Sequence, residues 1–148
     1  EALGYQVNFI QDNESKSTSK GMLRGLHYQL PPYTQNKLVR VIKGEVLDVA
    51  VDIRRDSPSF RKYVSVVLSD ENKKQLFIPG GFAHGFIVLS EGATFAYKVD
   101  AYYSAEHEEG IAYNDKDLDI DWRFLEKEII LSKADQNYSG LSDNKKLF

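Results

Sequence analysis

Between Lys37 and Tyr103, apolar and polar residues alternate in short runs, and glycine, proline, asparagine, aspartate or serine separates one run from the next. A period of two puts successive side chains on opposite faces, so these runs read as strands. The strands expected are Lys37 to Lys43, Val46 to Arg54, Tyr63 to Ser69, Gln75 to Ile78, Gly85 to Leu89 and Ala93 to Tyr103. Tyr5 to Gln11 alternates as well, whereas Asp12 to Lys20 is polar and serine-rich and reads as a loop. In the second of the central runs Leu47, Val49, Val51 and Ile53 share one face, and Asp48 and Asp52 the other. Leu30-Pro31-Pro32 blocks regular pairing. Many short strands with closely spaced turns specify a sandwich or barrel. Helical pattern is confined to Leu125 to Glu128 and Lys133 to Tyr138. The expectation is an all-β chain, one domain over 1–148, with short C-terminal helical segments.

The absence of cysteine excludes a disulfide scaffold, a thiolate nucleophile and Cys-ligated zinc together. A net charge of −3 with both signs interspersed gives no basic stripe, so no nucleic-acid partner is expected. No apolar run has membrane-spanning length and no signal peptide is legible, so no membrane partner and a cytoplasmic location are expected. The chain opens at Glu1 without methionine, already inside the pattern, so the expectation is that an N-terminal piece is missing.

Two of the three histidines stand among glycines and aromatics: His27 in Gly25-Leu26-His27-Tyr28-Gln29, and His84 in Pro79-Gly80-Gly81-Phe82-Ala83-His84-Gly85-Phe86. Pro79, Gly81 and His84 match the second metal motif of cupins, with Val88 where asparagine is usual. The first motif fails, because Gln29 follows His27 and no carboxylate lies within the next ten positions. A divalent metal needs three or four His or carboxylate ligands. The expectation is a cupin-type double-stranded β-helix, or jelly-roll barrel, that holds no metal.

What remains is acid–base chemistry. An unperturbed histidine titrates at about 6.5, which suits His27 as a general base. Lys37 opens the next strand, where a cation stabilises an oxyanion growing on a carbonyl. Tyr97 shares the apolar face of its strand with Phe95 and Val99, where a phenol needs a partner. Together they suit proton abstraction beside a carbonyl and reprotonation. Each has a plainer reading too: a hydrogen-bonded structural histidine, a solvated lysine at a strand end, a core tyrosine. Arg24 alone could tie a loop to Asp48 or Asp52.

In order, Gln11-Asp12-Asn13, Leu23-Arg24-Gly25-Leu26-His27-Tyr28-Gln29, Lys37-Leu38-Val39-Arg40, Gly44-Glu45-Val46 and Asp48-Val49-Ala50-Val51-Asp52 carry a resemblance that continues in the C-terminal half. There it runs through Ile78-Pro79, Gly81 to Phe86, Tyr97-Lys98, Glu108, Gly110-Ile111, Asn114-Asp115, Ile120 and Trp122. From about Val7 to Asp135 the chain resembles the dTDP-4-dehydrorhamnose 3,5-epimerase family. The resemblance implies a homodimer that uses no metal and no organic cofactor on a dTDP-linked 4-keto-6-deoxyhexose. It implies His27 as base, Lys37 as the enolate's cation, Tyr97 as acid from the opposite face, and Asp135 as the carboxylate orienting His27. Arg24 would hold the diphosphate and Gln11 and Asn13 the nucleotide. His84, Glu108 and Lys133 would complete the substrate contacts.

Three departures stand out. The family's Asp-x-Arg-Gly-x-Phe-x-Glu pattern is absent, so the expectation is a chain lacking the family's N-terminal segment that binds substrate weakly or does not turn over. The stretch between Gln11-Asp12-Asn13 and His27 is one residue longer than is usual in the family, which loosens the expectation for Gln11 and Asn13. Ala134 occupies the place of the family's lysine, with Lys133 one position earlier. The competing functions are a single-centre epimerase, a metal-dependent oxygenase and a noncatalytic sugar-nucleotide binder.

Overall fold

The computed structural model describes Gly4 and residues 6–148, and within them the alternating runs become strands. They are β1 (Gln11–Ser17), β2 (Met22–Gln29), β3 (Lys37–Lys43), β4 (Glu45–Asp52), β5 (Tyr63–Ser69), β6 (Gln75–Ile78), β7 (Phe82–Val88), β8 (Ala93–Val99), β9 (Glu108–Gly110) and β10 (Ile130–Leu131). One sheet runs β1-β8-β3-β6 and the other β10-β2-β7-β4-β5, with β9 also on β2. All pairings are antiparallel except β10 on β2. The two sheets face each other as a cupin-type jelly roll, as expected for an all-β chain. The helical candidates are single 3-10 turns, Glu126–Glu128 and Asp135–Asn137.

β4 explains how the core divides. Leu47, Val49 and Val51 join Leu23, Leu26, Ile87, Ile111 and Trp122 in a layer outside the second sheet. Val46 and Ala50 point between the sheets, with Val39, Val41, Leu68, Phe86 and Phe95. Each buried aliphatic side chain stabilises by about 1.5–3 kcal/mol, which fixes the register of a strand covered on both sides. The acidic face, Asp48 and Asp52, therefore also lies buried.

The main correction concerns β1. The residues read as a loop, Asp12 onward, form the strand, while residues 6–10 carry no strand and Tyr5 lies outside the described residues. Gln11, Asn13 and Ser15 are half-buried and Asp12, Glu14 and Lys16 exposed, so β1 does alternate. Its inner face is polar because it lines a polar cavity, and hydrophobic periodicity misses such a strand. Other strand ends shift: β4 runs Glu45–Asp52 rather than Val46 to Arg54, β7 runs Phe82–Val88 rather than Gly85 to Leu89, and β8 stops at Val99 rather than Tyr103.

Candidate active site

β2 is irregular where it matters. Its register against β7 shifts between Arg24 and His27. Gly25 takes φ +127°, and a Cβ there would lie 2.6 Å from the Gly85 Cα. A Cβ on Gly85 would lie 2.7 Å from the Arg24 carbonyl oxygen. Only glycine fits both places. The irregularity leaves His27 beside His84 of β7 on one side and Gly110 of β9 on the other.

Nε2 of His27 lies 2.6 Å from Oδ1 of Asp135. Burial pushes the Asp135 carboxyl up, but the bond and charge of His27, the Ser132 hydroxyl and the Gly25 N–H outweigh it and hold it below the usual range. With Nε2 bound to an ionised carboxylate, Nδ1 is the nitrogen left to accept a proton. The Tyr138 ring stands edge-on to His27, centroids 5.8 Å apart, and packs against the bare Cα of Gly110.

A cavity of about 390 Å³ opens on this histidine, lined by Gln11 and Asn13 of β1, His27, Tyr28 and Gln29 of β2, Gln35, Lys37 of β3, Tyr97 of β8, Tyr103 and Glu108. Its position between the sheets follows from inward-facing residues on five strands. A second cavity of about 360 Å³ shares His27 and Glu108 and adds Arg24, Asp135 and Tyr138. Grooves of about 490 and 540 Å³ elsewhere contain no histidine.

Lys37 is no solvated strand end. Burial draws its ammonium down to about 8, against the opposing pull of Asp48 and Glu108. Among the described residues no hydrogen bond occupies it, and the same holds for the Tyr97 hydroxyl. Tyr97 continues an aromatic column in which Phe86 stacks on Phe95 at 4.3 Å and Phe95 meets Tyr97 at 6.0 Å. Burial raises the Tyr97 phenol, with Arg24 lowering it and Glu108 raising it.

His27, Lys37, Tyr97, Gln11, Asn13 and Glu108 are thus brought to one cavity, with Asp135 behind the histidine. Arg24 is exposed on the adjoining cavity and ties to neither aspartate: Asp48 bonds His84 and Asp52 bonds Arg54. His84 is buried, with Nε2 2.7 Å from Asp48, and lines neither cavity. Burial holds its imidazole down despite Asp48, and the charges of Lys37 and His27 act the same way. Lys133 is exposed, also outside both cavities, and its carbonyl accepts a bond from Asn137. Sequence reasoning missed Tyr103 and Tyr138. Tyr103 closes the run expected as a strand, but β8 stops at Val99 and leaves it in an irregular segment; Tyr138 closes the stretch expected as helical, which is a single 3-10 turn ending at Asn137.

Among the described residues no three His, Cys, Asp or Glu side chains group as metal ligands would, because the two barrel histidines turn to separate aspartates. No helix among them is long and apolar enough to cross a membrane. Fold and site together define a cupin-type barrel whose cavity collects the titratable side chains of His27, Lys37, Tyr97 and Glu108. The sequence model of the dTDP-4-dehydrorhamnose 3,5-epimerase family matches residues 1–143. The dTDP-4-dehydrorhamnose 3,5-epimerase of Shigella flexneri is 62% identical over 122 residues, covering 82% of this chain and 67% of that protein. The enzyme of the same description from Pseudomonas aeruginosa is 52% identical over 143 residues, covering 97% and 77%. The Legionella pneumophila 3,5-epimerase, solved in complex with dTDP-4-keto-L-rhamnose, superposes with a TM-score of 0.90 at 54% identity over 95% of this chain and 73% of that one. This chain belongs to the dTDP-4-dehydrorhamnose 3,5-epimerase family.

Proposed function

We propose that this chain epimerises C3 and C5 of dTDP-4-dehydro-6-deoxy-D-glucose, giving dTDP-4-dehydro-L-rhamnose. The observation that carries the reading is the His27–Asp135 pair at 2.6 Å, opening on a cavity that also holds Lys37 and Tyr97. Carbons flanking a ketone lose a proton only if the enolate oxygen is stabilised. His27 Nδ1 takes the proton, and Asp135 offsets the imidazolium charge. Lys37 faces the enolate oxygen as a cation. Tyr97, kept protonated by burial, returns a proton to the carbon from the other face, so the centre inverts. Water then reprotonates the phenolate and takes the proton from His27, and the cycle repeats at the second carbon. Arg24 in the adjoining cavity suits the diphosphate, and Gln11 and Asn13 the nucleotide. His84 supports the site from behind through Asp48. Among the described residues no further strand pairs with the outer edge of β1, which supports a homodimer, and we place the enzyme in the cytoplasm, with residues 1–148 in one domain. Incubating the protein with the 4-keto-6-deoxyglucose nucleotide and reading the product by NMR tests this: the L-rhamno configuration is expected, and recovery of unchanged sugar contradicts it.

Two outcomes follow from the site. Because Lys37 loses its proton near pH 8, kcat/KM should fall above about pH 8 as the cation disappears. A pH profile of Lys37→Arg should carry that limb to higher pH, since a guanidinium stays charged. The second concerns Tyr97→Phe, which should still exchange C3 and C5 protons with solvent yet fail to invert them. His27 would return deuterium from its own side, and the ring would keep its stacking on Phe95. Label and stereochemistry read together in heavy water check this, and inverted product at near wild-type rate would make some other group the acid.

A further inference from the structure

Gln29 sits on β2 two residues after His27, only 5% exposed, and every polar atom of its amide is used. Nε2 donates to the Tyr33 carbonyl at 2.7 Å and to the Tyr102 carbonyl at 3.1 Å. Oε1 accepts the backbone N–H of Ser104 at 2.8 Å. Two donors and one acceptor converge on one side chain, a set that a carboxylate, a histidine or a methionine cannot supply. Two of the three backbone groups it holds, the Tyr102 carbonyl and the Ser104 N–H, flank Tyr103, and the third, the Tyr33 carbonyl, ties that segment to the turn after β2. Tyr103 is 62% exposed yet lines the main cavity, so its own packing does little to fix it. Its hydroxyl donates to Glu108 Oε2 at 2.7 Å, and Glu108 stands opposite Gln29 in the β2–β9 register. The ring of contacts is closed: Gln29, the backbone at Tyr102 and Ser104, Tyr103, Glu108, and back to β2.

We infer that Gln29 is a positioning residue for substrate: its amide holds the segment carrying Tyr103 so that Tyr103 and Glu108 form one fixed wall of the nucleotide-sugar cavity. The inference rests on the proposed epimerase reading. Gln29 reaches none of His27, Lys37 or Tyr97 by a hydrogen bond, so its loss should act on substrate binding more than on proton transfer. A buried amide left without its partners, or a loop left without its amide, weakens binding about tenfold.

The test is a double-mutant cycle of Gln29→Leu with Tyr103→Ala, read as KM and kcat on the 4-keto-6-deoxyglucose nucleotide. Gln29→Glu, which keeps the size and the acceptor for Ser104 but loses both donors, takes its place if the leucine variant does not fold. Turnover by the unsubstituted protein is measured first, and its absence would strike the epimerase reading itself. Given turnover, either Gln29 variant should raise KM about tenfold with kcat changed by less than about threefold. In the Tyr103→Ala background the same substitution should raise KM no further. An unchanged KM, a loss confined to kcat, or full additivity with Tyr103→Ala would overturn the inference.

Discussion

Replacing His27 with asparagine should lower solvent exchange at C3 and C5 by about 10²–10⁴-fold, the range typical of a general base. Asparagine keeps a planar polar side chain at the same place in β2, so the bulge at Gly25 and the pairing with β7 and β9 have no cause to change. Asp135 would keep its Ser132 and Gly25 partners and lose only the imidazole. Binding of dTDP should therefore hardly move while chemistry stops. Isothermal titration beside an exchange assay separates the two. A variant that binds normally and exchanges at the wild-type rate would remove His27 from the mechanism.

Lys37→Met should be almost as severe, at about 10²–10³-fold in kcat, because it deletes the cation proposed to face the developing enolate while keeping the length of the side chain. The barrel should survive. Asp48 is fully buried with Oδ2 unpartnered among the described residues, and losing Lys37 strips it of a neighbouring positive charge. Lys37 also helps hold His84 in its neutral form, so its removal makes His84 easier to protonate and supplies a replacement charge beside Asp48. A thermal melt should show a folded protein, and steady-state rates an inactive one. If kcat stays within a few-fold of wild type, the enolate is stabilised by something other than Lys37.

The parts of the fold legible in the sequence are those with an apolar face to read. Tyr63–Ser69 and Gln75–Ile78 are strands over the very residues expected, and Leu47, Val49 and Val51 bury the face that their spacing indicates. β1 was illegible because both of its faces are polar, one toward water and one toward the cavity. The aspartates of β4 could be placed on a strand but not paired, and Arg24, read as tying a loop to one of them, lies on β2 and bonds neither, since charge pairing depends on which strands neighbour each other in space. That same limit explains His84, which reads as a cavity residue from its motif and turns instead to Asp48. That His27, Lys37 and Tyr97 line one cavity was legible because residue type and motif agree. Gln29, Tyr103 and Tyr138 were not, since their roles depend on loops whose paths no periodicity encodes.

The central claim is that this cavity removes and returns protons on both carbons beside a ketone. Its most direct test is incubation of the unsubstituted protein with dTDP-4-dehydro-6-deoxy-D-glucose in heavy water, followed by NMR of the sugar at each position. One deuterium at C3 and one at C5, both in the inverted configuration, is the predicted result. Label at neither carbon, or inverted sugar that retains its original hydrogens, would contradict it.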